Sequence, residues 1–306
     1  SSANPNSVSY LSGSPELDNG YASTLETYVF FPKKPEAYER AYSNYRFANL
    51  TSSLFGRHGV DPSDPDSLTW PADDSANYQV YAIRDEIMSN DVRFMLTSSA
   101  GGLLPTITSS YYQDVYDNTN WVFAVTIKPA QYPLLDTING TSTTDYIVEF
   151  KGTHVDAGQI LDTFTLTGSY DATNNGYGPI TGSTRVYVGA HRQDFEGTVQ
   201  DHTDVRVGFC RYWLDDIDIT TLQAHAKDIM NYGTENPSLS PYLFQNGQSL
   251  NLSFTQGDTL ALNWDFQTVT GSDAAGEFEV PDFSSGSTQI QATRYGVLGN
   301  LLGAQH

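Results

Sequence analysis

The residues of this chain best suited to chemistry are its acidic strings. Asp73-Asp74, Asp114-Val115-Tyr116-Asp117-Asn118 and Asp215-Asp216-Ile217-Asp218 each gather hard oxygen donors of the kind that hold Ca²⁺. None follows the D-x-[DN]-x-[DN]-G loop, and acidic loops are commonly just solvated, so no cofactor is assigned and a Ca²⁺ site stays open. The six histidines are scattered, and His191 and His225 read as structural or exposed rather than as ligands. Cys210 stands alone, which excludes a disulfide framework and a cysteine-based zinc site; in a strand pattern it reads as a small buried hydrophobe. No G-x-S-x-G and no G-x-x-x-x-G-K occurs, so neither a serine-hydrolase elbow nor a phosphate loop is present. The twenty tyrosines admit two readings, sugar stacking or protein contact, and Tyr111, Tyr112 and Tyr116 form the cluster most suited to either. Three Asn-x-Ser/Thr sequons, at Asn49, Asn139 and Asn251, are about as many as such a composition produces by chance. No catalytic residue is assigned.

Composition narrows the partners. The net charge is −21, and it arises from scarce bases, with only five lysines, rather than from dense acids. Such a surface repels phosphate, which disfavours nucleic acid and anionic membranes. It keeps a protein soluble in brine, where the Debye length falls to a few ångströms, although plain colloidal solubility accounts for it equally well. An apolar fraction of 39% and an aromatic fraction of 13% belong to a folded protein. Nowhere do roughly 18 apolar residues run together, so no membrane insertion is expected. The N-terminus, Ser1-Ser2-Ala3-Asn4-Pro5, has neither an initiating Met nor the basic and apolar regions of a signal peptide. A processed product, or a piece of something longer, is the expectation.

The elements that must position these residues alternate with period two. Tyr78-Val80-Ala82, Val92-Phe94-Leu96 and Trp121-Phe123-Val125-Ile127 are followed by Tyr146-Val148-Phe150, Phe164-Leu166, Val186-Val188-Ala190 and Val205-Val207-Phe209. Strands of this length between Gly, Ser, Thr, Asn and Asp clusters predict antiparallel sheets with one face buried. Trp121, Phe123, Val148, Phe164, Val188, Phe195 and Val205 are the predicted shared core. From Asp218 to Gly233, Leu222, Ala226, Ile229 and Met230 recur at helical spacing, with Gly233 suited to C′. Pro35 to Phe47 fits either a helix or a tyrosine-rich loop. The fold predicted is all-β, an antiparallel two-sheet jelly-roll sandwich over 50–236, with a short helix after its last strand. Residues 1–49 are expected to pack on it as an extension. In 237–306, Leu250-Leu252-Phe254 and Leu260-Leu262-Trp264-Phe266 flank Thr255-Gln256-Gly257-Asp258, a hairpin signal. That hairpin is expected to find much of its apolar partner surface on a neighbouring chain, with docking on its own sandwich as the alternative.

Val186-Tyr187-Val188-Gly189-Ala190-His191-Arg192, then Phe195-Glu196-Gly197 and Thr203-Asp204-Val205-Arg206-Val207, resemble the last strands of concanavalin A-like (laminin-G and pentraxin) modules. In that family an apolar strand runs into a Gly, then F-x-G, then a D-V-R strand, with a short helix nearby, here Leu222 to Asn231. The resemblance covers roughly residues 50–235 and implies a lectin-like fold. Arg211-Tyr212-Trp213-Leu214-Asp215-Asp216, His225-Ala226-Lys227-Asp228 and Asn231-Tyr232-Gly233 are similar to modules in large structural proteins of tailed marine phages. Ala261-Leu262-Asn263-Trp264-Asp265-Phe266, Thr270-Gly271-Ser272-Asp273 and Asp282-Phe283-Ser284-Ser285-Gly286-Ser287 resemble their linking modules.

These likenesses imply a non-enzymatic structural or adhesion protein of a virion surface. Its partners would be other copies, other virion proteins or cell-surface glycans. A carbohydrate-binding module of a larger secreted, extracellular protein is a second reading, and a diverged glycoside hydrolase a third. The related laminarinase-type enzymes carry Glu, Asp and Glu at alternate strand positions. Here Glu16-Leu17-Asp18 is followed at the next alternate position by Gly20, which leaves a double displacement without its acid/base.

Overall fold

The computed structural model describes residues 22–33, 49–59, 76–87, 89–98, 104–130, 145–172, 184–192, 199–230, 260–266, 270–272, 278–280 and 282. They form an all-β protein of two antiparallel sheets packed face to face. The larger sheet runs in the order β13 (Leu260–Asp265), β12 (Arg206–Trp213), β1 (Ser23–Phe31), β6 (Thr119–Pro129), β7 (Asp145–Asp156), β8 (Gln159–Asp171). The second runs β5 (Ile107–Tyr112), β4 (Val92–Thr97), β3 (Ala76–Arg84), β2 (Thr51–Gly59), β9 (Thr184–Val188). Two short ribbons pair β10 (His191–Arg192) with β11 (Val199–Asp201), and β14 (Thr270–Ser272) with β15 (Phe278–Glu279). One helix, α1 (Ile219–Lys227), follows β12. No described helix is long and apolar enough to cross a membrane.

Alternation builds the core where a strand has one covered face. In β4, Val92, Phe94 and Leu96 are buried, and Arg93, Met95 and Thr97 are half-buried. Phe94 stacks among Trp121, Phe123 and Phe164 of the facing sheet, with centroids 4.6–6.0 Å away. Of the predicted core, Trp121, Phe123, Val148 and Phe164 join this cluster and Val188 and Val205 pack against it; Phe195 lies outside the described residues.

β6 departs from one-sided burial. Trp121 through Ile127 are all buried, because Val122 and Ala124 turn away from the sandwich into a second apolar cluster with Trp213, Ile217, Leu222 and Ala226. The helix covers the outer face of the larger sheet, so the central strand has no wet side. α1 starts at Asp218, whose carboxylate accepts from the Thr221 N–H at 2.7 Å. It ends at Lys227 rather than running to Gly233, and Met230, expected on the buried stripe, is 53% exposed.

Two bulges redirect side chains that the alternation placed on one face. The β1–β12 register shifts between Tyr28 and Val29, so Val207 faces Val29 but Phe209 faces Tyr28, on the helix side. Gly208 occupies the bulge, where a Cβ would lie 2.6 Å from Tyr28 Cδ1. A second shift, between Tyr212 and Trp213, sends Leu260 into the helix-side cluster and Leu262 into the sandwich core.

The segment expected to pack as an N-terminal extension instead supplies β1, hydrogen-bonded between β12 and β6 inside the larger sheet. The sandwich therefore extends beyond 50–236 at both ends. β13 pairs with β12 of its own chain, the alternative docking named for the hairpin, over Leu260 to Asp265. Leu250, Leu252, Phe254 and the Pro35–Phe47 segment lie outside the described residues.

Candidate functional site

The acidic strings are divided among separate tasks. Asp114 and Asn118 adopt left-handed backbone angles (φ 53° and 62°) in the turn between β5 and β6. There the Asp114 N–H donates to Asp91 at 3.0 Å, Asp117 pairs with Lys33 at 2.9 Å, and Asn118 Oδ1 accepts from the Lys33 N–H. Asp215 accepts from the Asp216 N–H, and Asp218 caps α1. Asp73-Asp74 and Glu16-Leu17-Asp18 lie outside the described residues. Among the described residues no three His, Cys, Asp or Glu side chains gather to hold a metal ion.

Asp216 closes a ring of four alternating charges on the outer face of the larger sheet. Lys128 Nζ donates to Asp216 (2.6 Å) and Glu149 (2.9 Å); Lys151 Nζ meets Glu149 at 2.7 Å and Asp216 at 3.1 Å, and donates to the Ile217 carbonyl at 2.7 Å. Burial alone raises the Asp216 carboxyl, but the two ammoniums outweigh it and hold the group below its ordinary range. The ring ties the chain between β12 and α1 to β6 and β7. Its sequence signal was slender: two of the five lysines sit in strand runs.

A second buried set joins β1, β12 and α1. His225 Nδ1 lies 2.9 Å from Glu26 Oε1, and the Trp213 indole N–H donates to Oε2 at 2.9 Å, with Glu26 and His225 both fully buried. Burial would raise the Glu26 carboxyl; His225, Arg211 and the Trp213 hydrogen bond prevail and lower it. His225 is thus structural, three residues after Leu222 on the buried stripe of α1.

The tyrosine cluster is split by the fold. Tyr116 is buried: its hydroxyl donates to Asp204 at 2.6 Å, and the Arg84 guanidinium, itself bonded to Asp204 at 2.7 Å, lies 3.2 Å from its ring centre. Tyr112 packs into the core against Phe94, Trp121 and Phe164. Tyr111 alone faces outward, 44% exposed, on the outer face of the smaller sheet. Opposite it in the β4–β5 register stands Arg93, whose guanidinium carbon is 5.5 Å from the ring centre. Arg93 Nε meets no hydrogen-bond acceptor among the described residues.

The same sheet face continues inward under the β10–β11 ribbon. Gln79 and Tyr81 point away from the core, where Tyr81 Oη bonds to Asp201 at 2.9 Å and to Gln79 Oε1; Gln79 Nε2 meets His191 Nδ1 at 3.1 Å. His191 stacks on Tyr187 at 4.6 Å, next to Gly56, where a Cβ would lie 2.5 Å from the Tyr187 hydroxyl. The His191 hydrogen bond leads the contacts that lower the Asp201 carboxyl, and burial pushes the Tyr81 phenol well up. Gln79, Tyr81, Tyr187 and His191 are all buried, so this end of the face is closed and the Tyr111–Arg93 end is open. The open end combines a ring for stacking with a cation for oxygen acceptors.

No protein-family model matches the sequence, and no curated protein does. Among solved structures the chain is similar to the full-length tailspike protein 2 of an Escherichia coli O157:H7 bacteriophage. The TM-score is 0.37 at 10% identity, over 69% of this chain and 22% of that one. It is similar also to the enzymatically active domain of the tailspike protein 2 of Bacteriophage CBA120, with a TM-score of 0.35 at 9% identity, over 69% of this chain and 24% of that one. The chain thus spans about a quarter of the tailspike chains it matches. Neither likeness carries an argument about activity.

Proposed function

We propose that this chain is a non-enzymatic structural and adhesion module of a virus particle, displaying a lectin-like sandwich on the particle surface. The resemblance of Val186–Val207 and of Arg211–Gly233 to lectin-like and phage structural modules motivates the reading. A helix over Ile219–Lys227, overlapping the Leu222–Asn231 stretch where that resemblance implies one, supports it. The observation that carries the adhesive part is the contrast across the molecule. Glu26–His225, the Lys128–Lys151 ring and Arg84–Asp204 are each engaged with their own charged partners, while Tyr111 is exposed beside the half-buried Arg93 on the outer face of the smaller sheet. Cell-surface glycans are the ligand class proposed for that face, with other copies and other virion proteins as further partners.

A glycan array probed with the chain and with Tyr111→Ala tests the adhesive part. Binding that falls at least tenfold in the variant supports it, since one stacked ring contributes on the order of 1.4 kcal/mol. Binding unchanged by the substitution moves the ligand elsewhere. Detection of the chain in purified particles supports the virion reading, whereas its recovery only as a secreted protein favours a carbohydrate-binding module. Polysaccharide turnover that vanishes on replacing a single Asp or Glu would overturn the non-enzymatic reading.

A further inference from the structure

Arg93 is set apart from the other cations of this acidic chain. Lys33, Arg84, Lys128 and Lys151 each lie within 3.1 Å of a carboxylate. The buried Arg57 and Arg211 are tied to Thr184 and to Asn263. The Arg93 guanidinium makes no ion pair and no hydrogen bond among the described residues, in a chain of net charge −21. Its Nε is buried and its Cζ lies 5.5 Å from the Tyr111 ring centre, so the half-buried side chain is held at its base and leaves its two terminal nitrogens to solvent. The side chains flanking it are uncharged: Ile83 on β3, Tyr111 on β5 and Met95 further along β4. Asp91, two residues before it, accepts from the Asp114 N–H at 3.0 Å. Arg206 and Lys227 also lack a carboxylate partner among the described residues, but both are exposed and fully solvated.

We propose that the Tyr111–Arg93 face takes a sugar bearing a carboxylate, a uronate or a sialate. The terminal nitrogens of Arg93 donate to the carboxylate, and the exposed part of the Tyr111 ring lies against the sugar. This rests on the adhesive reading above and narrows its ligand. A planar guanidinium matches a planar carboxylate through two parallel N–H···O bonds, stronger than those it makes to a neutral hydroxyl. Ligands of higher charge meet more repulsion from the rest of the chain, whereas a single carboxylate meets little. At physiological salt, charges beyond about 8 Å are largely screened, so the uncharged surroundings of Arg93 decide.

An array of uronate-, sialate- and sulfate-bearing glycans tests this, each printed beside its methyl-esterified or desulfated parent. Variants are first checked for fold by circular dichroism and thermal melting. The native chain is expected to bind carboxylate-bearing glycans and to lose about tenfold on methyl esterification, the worth of one charge-assisted pairing. Arg93→Gln is expected to bind acid and ester alike, at the level of the ester. Arg206→Gln, the same loss of charge elsewhere, is expected to keep the preference. Equal binding of acid and ester by the native chain, a preference for sulfated glycans, or a preference that survives Arg93→Gln would overturn the proposal. Neutral glycans bound equally well and lost with Tyr111→Ala would overturn it while leaving the adhesive reading intact. A native chain that binds no glycan would overturn both.

Discussion

Glu26 shows what a single charge does in this fold. A carboxylate out of water costs several kcal/mol unless its oxygens are fully engaged, and here His225 and Trp213 engage both. Removing the charge strands the partners, so Glu26→Gln is expected to destabilise the fold by about 3–5 kcal/mol, read from urea unfolding at neutral pH. The sign of the pH dependence follows from the lowered folded-state value. The stabilisation is complete above the unfolded carboxyl pKa of about 4.3 and is lost as pH falls through the folded one. Asp201 and Asp216 are lowered too and act in the same direction. Stability measured from neutral pH downward is therefore expected to fall below about pH 4–5, with a shallower acid limb in Glu26→Gln. None of this was visible in sequence, because Glu26 and His225 are 199 residues apart and meet only through the β1–β12 pairing.

At the scale of elements, local pattern and tertiary context divide the outcome. The β4, β6 and β7 runs were legible because apolar alternation is a property of neighbours. The bulges at Gly208 and beside Trp213 were not, since a bulge is fixed by the partner strand's register, and each one moved a residue of an apparently clean stripe to the opposite face. The helix was legible at its start, where Asp218 caps, and misjudged at its end, because the chain leaves α1 at Asp228 to let the Ile229 carbonyl accept from Arg211. Two substitutions test the packing. Leu222→Ala removes the fully buried anchor of α1 against Val122 and Trp213 and is expected to cost about 2–5 kcal/mol. Gly152→Ala places a methyl 2.3 Å from Phe164 Cε1, across the β7–β8 pair, and is expected to cost about 1–3 kcal/mol by overpacking. Thermal unfolding of each measures both, and an unchanged melting temperature for Gly152→Ala would mean that Phe164 yields freely.

For the whole molecule, the sheet order shows how widely separated segments close one core. β1 and β12, 175 or more residues apart, are adjacent, and β13 adds a strand beyond them, so the sandwich is completed only after the chain has passed residue 260. Sequence reading placed the boundary near 236 because the stretch after Asn236-Pro237 resets the pattern, and a reset of pattern says nothing about which sheet the next strand joins. A chain ending at residue 236 tests the difference. It loses Leu262 from the sandwich core and Leu260 from the helix-side cluster, two burials worth together about 3–6 kcal/mol. It also strips Arg211 of Asn263, which accepts from its Nε at 3.3 Å, and leaves the buried residues of β12 on a bare sheet edge. The expected result is a truncated chain that melts well below the full one or aggregates on concentration, measured by calorimetry and size-exclusion chromatography. A truncated chain as stable as the parent, differing only in self-association, would instead show that the tail's main partner is another molecule.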